Sequence, residues 1–260
     1  MLEASLQPAP RTKSQRFSWL VGIFVRPRAT INQIAAQSNG AWVLPLLVLS
    51  LLALASVASS GWLKQIAAQS GQVQLPPDFQ YYPPEQQEKF MQAVAATSGP
   101  AFVYVLPALA RILTIFVGWL LVGNLLHLVL TMFGGRNTTT STLNLAAWAG
   151  LPFALRDLVR TIAMLISRQL IQSPGLSGFA PSQADKLSQY LYHFLALIDV
   201  YLIFHILLLG LGARTIAGLS ARKAWGGVVV TMLILIGLQA LVSFGLAQLS
   251  TIQVVRPFMF

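Results

Sequence analysis

No cysteine occurs among the 260 residues, and only 9% of them are charged. The first absence excludes disulfides, thiolate zinc sites, cysteine nucleophiles and iron–sulfur ligation. The second sets the chain apart from soluble domains, where about a quarter of residues are charged. Acidic residues are scarcest, seven against seventeen Lys and Arg, which leaves a net charge of +10. There is no G-x-x-x-x-G-K-[ST] loop, no H-E-x-x-H, no G-x-S-x-G and no paired-aspartate intramembrane protease motif. The sequence thus gives no support for P-loop ATP hydrolysis, zinc proteolysis or serine hydrolysis.

What the chain has instead is apolar length. Five stretches, Ala41–Leu63, Phe102–Met132, Leu143–Ile166, Tyr190–Leu211 and Trp225–Leu246, are each long enough to cross a bilayer. A spanning helix needs about 20 mostly apolar residues for a hydrocarbon core of about 30 Å. The runs are continuous rather than alternating, which favours helices over a β-barrel. The expected fold is all-α, a polytopic membrane protein with five transmembrane helices. The first run begins some forty residues in, without a cleavage site, and reads as an anchor rather than a signal peptide.

The positive charge sits at membrane borders, which argues against nucleic acid as a partner. Arg11, Lys13, Arg16, Arg26, Arg28, Arg136, Arg214, Arg222 and Lys223 fall on one side of the proposed membrane. Lys64, Lys89, Arg168, Lys186 and Arg256 fall on the other, with Asp78, Glu85, Glu88 and Asp185. The positive-inside rule then places the N-terminus in the cytoplasm and the C-terminus outside.

Residues 1–13 are polar and proline-bearing and read as a disordered cytoplasmic tail. Residues 14–40 read as two short amphipathic helices lying in the membrane interface. Phe17, Leu20, Ile23 and Phe24 form the lipid-contacting face, and Arg26 and Arg28 meet anionic headgroups. A plain cytoplasmic stub is the alternative. Residues 41–247 hold the five spans, and 248–260 form an extracytoplasmic tail. The outer loop from Lys64 to Pro100 carries Pro76, Pro77, Pro83 and Pro84 and then a helix over Glu85–Thr97. Pro107 sits near the start of the second span, and Gly150-Leu151-Pro152 predicts a break or bend in the third. Asn137-Thr138-Thr139 reads as a helix-capping polar turn. The small residues Gly226, Gly227, Gly237, Gly245 and Ala247 suit close packing of the fifth span.

Three passages line up in one order along the chain. The first is Phe24-Val25-Arg26-Pro27-Arg28-Ala29-Thr30-Ile31. The second is Phe133-Gly134-Gly135-Arg136 with Thr142-Leu143-Asn144-Leu145-Ala146-Ala147-Trp148-Ala149-Gly150-Leu151-Pro152. The third is Ile198-Asp199-Val200-Tyr201-Leu202-Ile203-Phe204 with Ser220-Ala221-Arg222-Lys223-Ala224. Together they resemble the Yip1 family of five-span membrane proteins, in its bacterial branch, over residues 20–247. One departure is Phe204-His205, where the family pattern has tryptophan. The resemblance implies a five-helix bundle with a cytoplasmic N-terminus in the bacterial inner membrane. It also implies an accessory role beside ABC-type exporters, in which a different chain hydrolyses ATP.

Five ionisable residues fall within the spans: Arg111, Arg156, Asp157, Arg160 and Asp199. Such residues are costly in lipid and usually have partners or water. At 1.5 Å per residue, Arg156 lies about 20 Å along the third span, which places the set in the outer half of the membrane. Arg156 and Arg160 share a helix face at i, i+4. One reading is an outward-facing pocket for an anionic or peptide ligand. Others are an ion-pair network between spans two, three and four, or residues lying beyond the lipid after a bend at Pro152. His127 and His193 sit near opposite ends of the bundle and cannot share a metal.

The function expected from the sequence is therefore non-catalytic and without cofactor or metal. The chain acts by association with the bilayer and with integral membrane proteins, an ABC exporter among them, and with a second copy of itself as an open alternative. A small transporter or channel built on the charged cluster is the competing reading.

Overall fold

The computed structural model describes residues 13–37, 40–69, 79–171, 173–181 and 185–255. Among the described residues there are helices and turns and no strand. The α-helices are α1 (Lys13–Val25), α2 (Pro27–Ala35), α3 (Val43–Gln69), α4 (Pro84–Thr97), α5 (Leu106–Met132), α6 (Thr139–Ala149), α7 (Leu151–Ser167), α8 (Lys186–Ala196), α9 (Val200–Ala217) and α10 (Ala221–Val255). A π-helical turn, Ala101–Val105, leads directly into α5. The helical choice follows from the apolar runs, because a helix satisfies its backbone hydrogen bonds within its own segment, as lipid demands.

Four segments are long and apolar enough to cross a membrane: Val43–Ala67, Ala101–Met132, Val200–Ala217 and Ala221–Gln248. The predicted third stretch is divided into α6 and α7 at Gly150. Pro152 has no N–H, so the Trp148 carbonyl loses its usual partner four residues on. The Phe153 N–H turns to the Gly150 oxygen instead, at 2.9 Å. The predicted fourth stretch is likewise divided, into α8 and α9, over residues 197–199. The fifth runs beyond its expected end, since α10 continues to Val255.

Helix α3 packs on α7, α5 on α6, and α10 on α5, α8 and α9, while α6 and α7 lie against α9. Their shared core is built from Leu126 and Leu130, Trp148, Leu202, Leu208, Leu209, Val228 and Met232. Gly226 and Gly227 face α5, where an added Cβ would meet Phe133 and Leu130, so this part of the small-residue face serves the bundle itself. Thr138 and Ser141 form a reciprocal capping box at the start of α6, which is the polar turn read from the sequence.

The N-terminal helices form a sharp antiparallel hairpin. Trp19 Nε1 donates to Gln33 Oε1 at 2.7 Å, and Gly22 faces Thr30 so closely that a Cβ would collide with its hydroxyl. The hairpin leans along α9, with Phe24 against Phe204 (5.8 Å) and the Thr215 hydroxyl donating to Asn32 Oδ1 (3.2 Å). Trp19 packs edge-on against Trp148 at 5.5 Å. This revises the expected lipid-contacting face. Ile23 is fully buried in the bundle core, and Leu20 and Phe24 pack partly against it. Phe17 stays exposed and joins Val21 and Val25 in an outward ridge at i, i+4, i+8. Arg26 and Arg28 are exposed at the hairpin turn. An apolar helix face can be covered by lipid or by protein, and the periodicity alone does not distinguish them.

The non-helical lead into α3 is held from α6. Ala41 N–H donates to Asn144 Oδ1 at 2.8 Å, and Trp148 Nε1 donates to the Ala41 oxygen at 3.0 Å. Asn144 and Trp148 stand one turn apart on the same face, so they grip both polar groups of one residue.

Pro76 and Pro77 of the outer loop lie outside the described residues, as do residues 1–12 of the proposed 1–13 tail and 256–260 of the proposed 248–260 tail, while Lys13 begins α1 and 248–255 continue α10. The expected helix at Glu85–Thr97 is α4, begun at Pro84 after Pro83. It buries no residue, and it is tied to the preceding turn through Phe79 against Phe90 at 5.2 Å and Gln87 Nε2 donating to the Tyr82 oxygen at 2.9 Å.

Candidate functional site

The polar side of α7 is where chemistry concentrates. The helix is strongly amphipathic: Leu155, Leu158, Val159 and Ile162 are exposed, while Asp157 is buried and Arg156 nearly so. The same 3.6-residue repeat that turns the leucines outward puts Arg156 over Arg160 and Asp157 under Thr161. The Thr161 hydroxyl donates to the Asp157 backbone oxygen at 2.7 Å, a local bond that occupies it within the helix.

The five ionisable residues singled out in the sequence meet here. Arg111 of α5 donates from Nη2 to Asp157 Oδ2 at 2.7 Å. Asp157 Oδ1 lies 3.8 Å from Arg156 Nε. Arg156 Nη1 donates to Asp199 Oδ2 at 3.3 Å, and Arg160 Nη2 stands 3.8 Å from the same oxygen. The Arg156 guanidinium also lies 4.8 Å above the Phe153 ring. The result is a chain of charges, Arg111–Asp157–Arg156–Asp199–Arg160, linking α5, α7 and the start of α9.

Asp199 differs from its expected place inside a continuous span. It is the N-cap of α9, and its Oδ1 accepts the Leu202 N–H at 2.8 Å. Its negative charge therefore sits at the positive end of that helix while its second oxygen faces the arginines. A distant turn docks on the break that frees it. Gly175 has φ +60°, and a Cβ there would stand 2.7–2.9 Å from the carbonyl oxygens of Leu195, Ala196 and Ile198. The next N–H, of Leu176, lies 3.0 Å from both the Leu195 and Ile198 oxygens. The Pro174-Gly175 pair was a legible turn signal. That it docks on the α8–α9 break was not.

His205 also joins the site. It is buried, its ring lies 4.9 Å from Phe153, and its Nδ1 is 2.7 Å from the Ala149 oxygen. Only a protonated Nδ1 can donate there, so the contact selects that tautomer. Ala149 is the last residue of α6, and its carbonyl is one that the Gly150–Pro152 break leaves without a helical partner. His205→Phe is therefore expected to cost about 1–3 kcal/mol, the penalty of an orphaned buried acceptor. His205→Gln, which keeps a donor, should cost less. A thermal melt in detergent orders the two, and equal melting of the wild type and His205→Phe would refute the role.

His127 pairs elsewhere, through Nδ1 with Asn137 Nδ2 at 2.7 Å, on the turn between α5 and α6. Among the described residues no group of three or more His, Asp or Glu is placed to hold a metal ion. The sequence reading missed Phe153, His205 and Gly175 as members of the site, because none is ionised in an apolar run and each matters only through its neighbours.

In the comparisons with known proteins, a family model described as the Yip1 domain matches residues 21–244. No curated protein and no solved structure matches the chain. The matched region takes in every residue of the charge chain.

Proposed function

The chain belongs to the Yip1 family, and on that premise we propose that it is a non-catalytic integral membrane protein that works by association with other membrane proteins. The role we favour is an accessory subunit of an ABC-type export or membrane-remodelling complex in the bacterial inner membrane. We read five spans: α3, α5, the interrupted pair α6–α7, α9 and α10. Arg136, Arg214, Arg222 and Lys223 mark the cytoplasmic end, and the C-terminus lies outside. Lys223 Nζ, 3.4 Å from the Phe133 oxygen, ties two of the turns at that end together.

The observation that supports association over transport is the pairing of the intramembrane charges. Asp157 is 2% exposed, and both carboxylates are engaged by arginines. A permeation path needs groups that water reaches and that change partners during the cycle, whereas an adaptor can keep such groups as fixed pairs. The surfaces offered to a partner are α4, which buries nothing, and the Phe17–Val21–Val25 ridge. The second reading, a small transporter or channel using the same cluster, has one observation in its favour: Arg156 Nε is buried without a hydrogen-bond partner.

Affinity purification from the native membrane at low expression tests the proposal. A stoichiometric membrane partner is the expected result, and an ATP-hydrolysing exporter would be the specific one. A partner-free protein would count against it. Single cysteines at Thr161 and Thr114 need no background removal, since the chain has none. Rapid labelling of either by a charged, membrane-impermeant thiol reagent would favour the transporter reading.

A further inference from the structure

Helix α5 is covered on one side only. A Cβ on Gly227 of α10 would meet Leu130 at 3.0 Å, and one on Gly123 would collide with Leu143 of α6. Turned away from these contacts are Ala110, Thr114, Val117, Leu121, Asn124 and Leu128, all exposed. Their spacing alternates between four and three residues. That is the 3.5-residue repeat of a left-handed two-helix seam, which runs along a supercoiled helix without drifting round it. Thr114 and Asn124 make it polar at two places.

Asn124 indicates what covers this face. At 1.5 Å per residue it lies about 12 Å from the end of α5 at Met132 and about 27 Å from its start at Leu106, within the apolar length of the span. Its Nδ2 donates to the Leu120 oxygen at 2.8 Å, which uses one of the amide's two N–H groups. The second N–H and Oδ1 meet no group among the described residues, and lipid supplies neither donor nor acceptor. A carboxamide both donates and accepts, so it is complementary to a second carboxamide. Between Arg111 and Met132 the helix carries no Asp, Glu, Lys or Arg, so two copies approach without like-charge repulsion. Copies of one membrane chain share an orientation, and a two-fold axis along the membrane normal sets their α5 helices parallel. Each seam residue then faces its own counterpart, and Asn124 meets Asn124.

We propose that the chain forms a symmetric dimer through the α5 face Ala110–Thr114–Val117–Leu121–Asn124–Leu128, its occupant a second copy of the chain, with the two Asn124 amides exchanging hydrogen bonds across the seam. Polar side chains of this kind hold membrane helices together, and a single asparagine in a heptad seam fixes register and strand number. Ala110 and Thr114, both small, let the two backbones draw close toward the start of the helix. The seam is separate from α4 and from the Phe17–Val21–Val25 ridge, so the dimer stands independently of which other protein the chain serves.

The test places single cysteines in the full chain, which has none of its own, and oxidises it in the native membrane at low expression. Leu121→Cys lies on the seam, whereas Phe116→Cys is also exposed but stands about 140° away round the helix. A disulfide-linked species of twice the chain mass is expected from Leu121→Cys and not from Phe116→Cys. Equal cross-linking of the two would show random collision and overturn the seam, as would no cross-link at Leu121→Cys. A cross-linked species of any other mass would give the face to a different protein and overturn the second copy. Energy transfer between labelled copies, followed as phosphatidylcholine is added to reconstituted vesicles, measures the affinity. Asn124→Leu should weaken it by about tenfold, while Asn124→Gln, which keeps the carboxamide, should lose less. Both change an exposed side chain and should fold, which the melting temperature checks. Undiminished dimerisation of Asn124→Leu would overturn the amide pairing.

Discussion

Asp157→Leu is expected to destabilise the protein by about 3–5 kcal/mol, the cost of removing one member of a buried ion pair. Asp157 is almost fully buried and takes a 2.7 Å hydrogen bond from Arg111. It also lies 3.8 Å from Arg156 Nε. Without it, Arg111 loses its carboxylate, and Arg156 is left with Asp199 alone, which it already shares with Arg160. Arg111 is nearly a third exposed and can turn part of its charge toward the surface, so its own removal should cost less. The decisive variant is the double substitution Arg111→Leu/Asp157→Leu, which removes both charges from the bridge. It should recover a large part of the loss, because an apolar pair in place of a buried ion pair is often near neutral. Unfolding in mixed micelles, followed for the four proteins of the cycle, gives the coupling directly. Additive effects of the two single changes would show that the bridge contributes nothing as a pair.

The second large effect is expected at Trp148. It is fully buried, packs edge-on against Trp19, and donates to the Ala41 oxygen. Trp148→Ala should cost about 3–5 kcal/mol for the cavity. A further 1–3 kcal/mol, roughly, should follow from the orphaned carbonyl. The cavity penalty is mostly lost van der Waals contact, which a lipid-facing bundle needs as much as a soluble one does. Trp148→Phe keeps most of the ring and removes only the donor, so it separates the two contributions. In the alanine variant α1 should also come away from the bundle, since its tryptophan loses its partner. Limited tryptic digestion after Arg16 or Arg28 reads that release. A hairpin as protected in Trp148→Ala as in the wild type would mean that α1 is held by other contacts, such as Phe24 against Phe204.

Much of the fold was readable in advance. Hydropathy located the four segments that the structure shows long and apolar enough to cross a membrane, and Pro83-Pro84 and Thr138 marked the beginnings of α4 and α6 where the structure has them. The weakness at Gly150-Leu151-Pro152 was legible because proline's missing N–H is a property of one residue. The second break was not. Leu197-Ile198-Asp199 holds no proline or glycine, and the carbonyls freed there are met by the Gly175-Leu176 turn, more than twenty residues earlier. Asp199 was therefore placed within a helix that it in fact begins. At the N-terminal face Ile23 departs from its expected place for a similar reason. Ile23, Leu20 and Phe24 have the spacing of a lipid-contacting stripe, yet Ile23 fills the bundle core and the outward ridge passes through Val21 and Val25.

Composition and hydropathy were enough for the solvent, the helical class and the five ionisable residues set within largely apolar runs. These are sums over single segments: apolar length, continuity, and the cost of an ionised group in a run that has few others. Which charge answers which depends on how the helices pack. The bridges join residues 46 and 43 positions apart, and their geometry depends on how α5, α7 and α9 lie against one another. That arrangement is set by packing, by two helix breaks and by one glycine turn, and no local periodicity contains it.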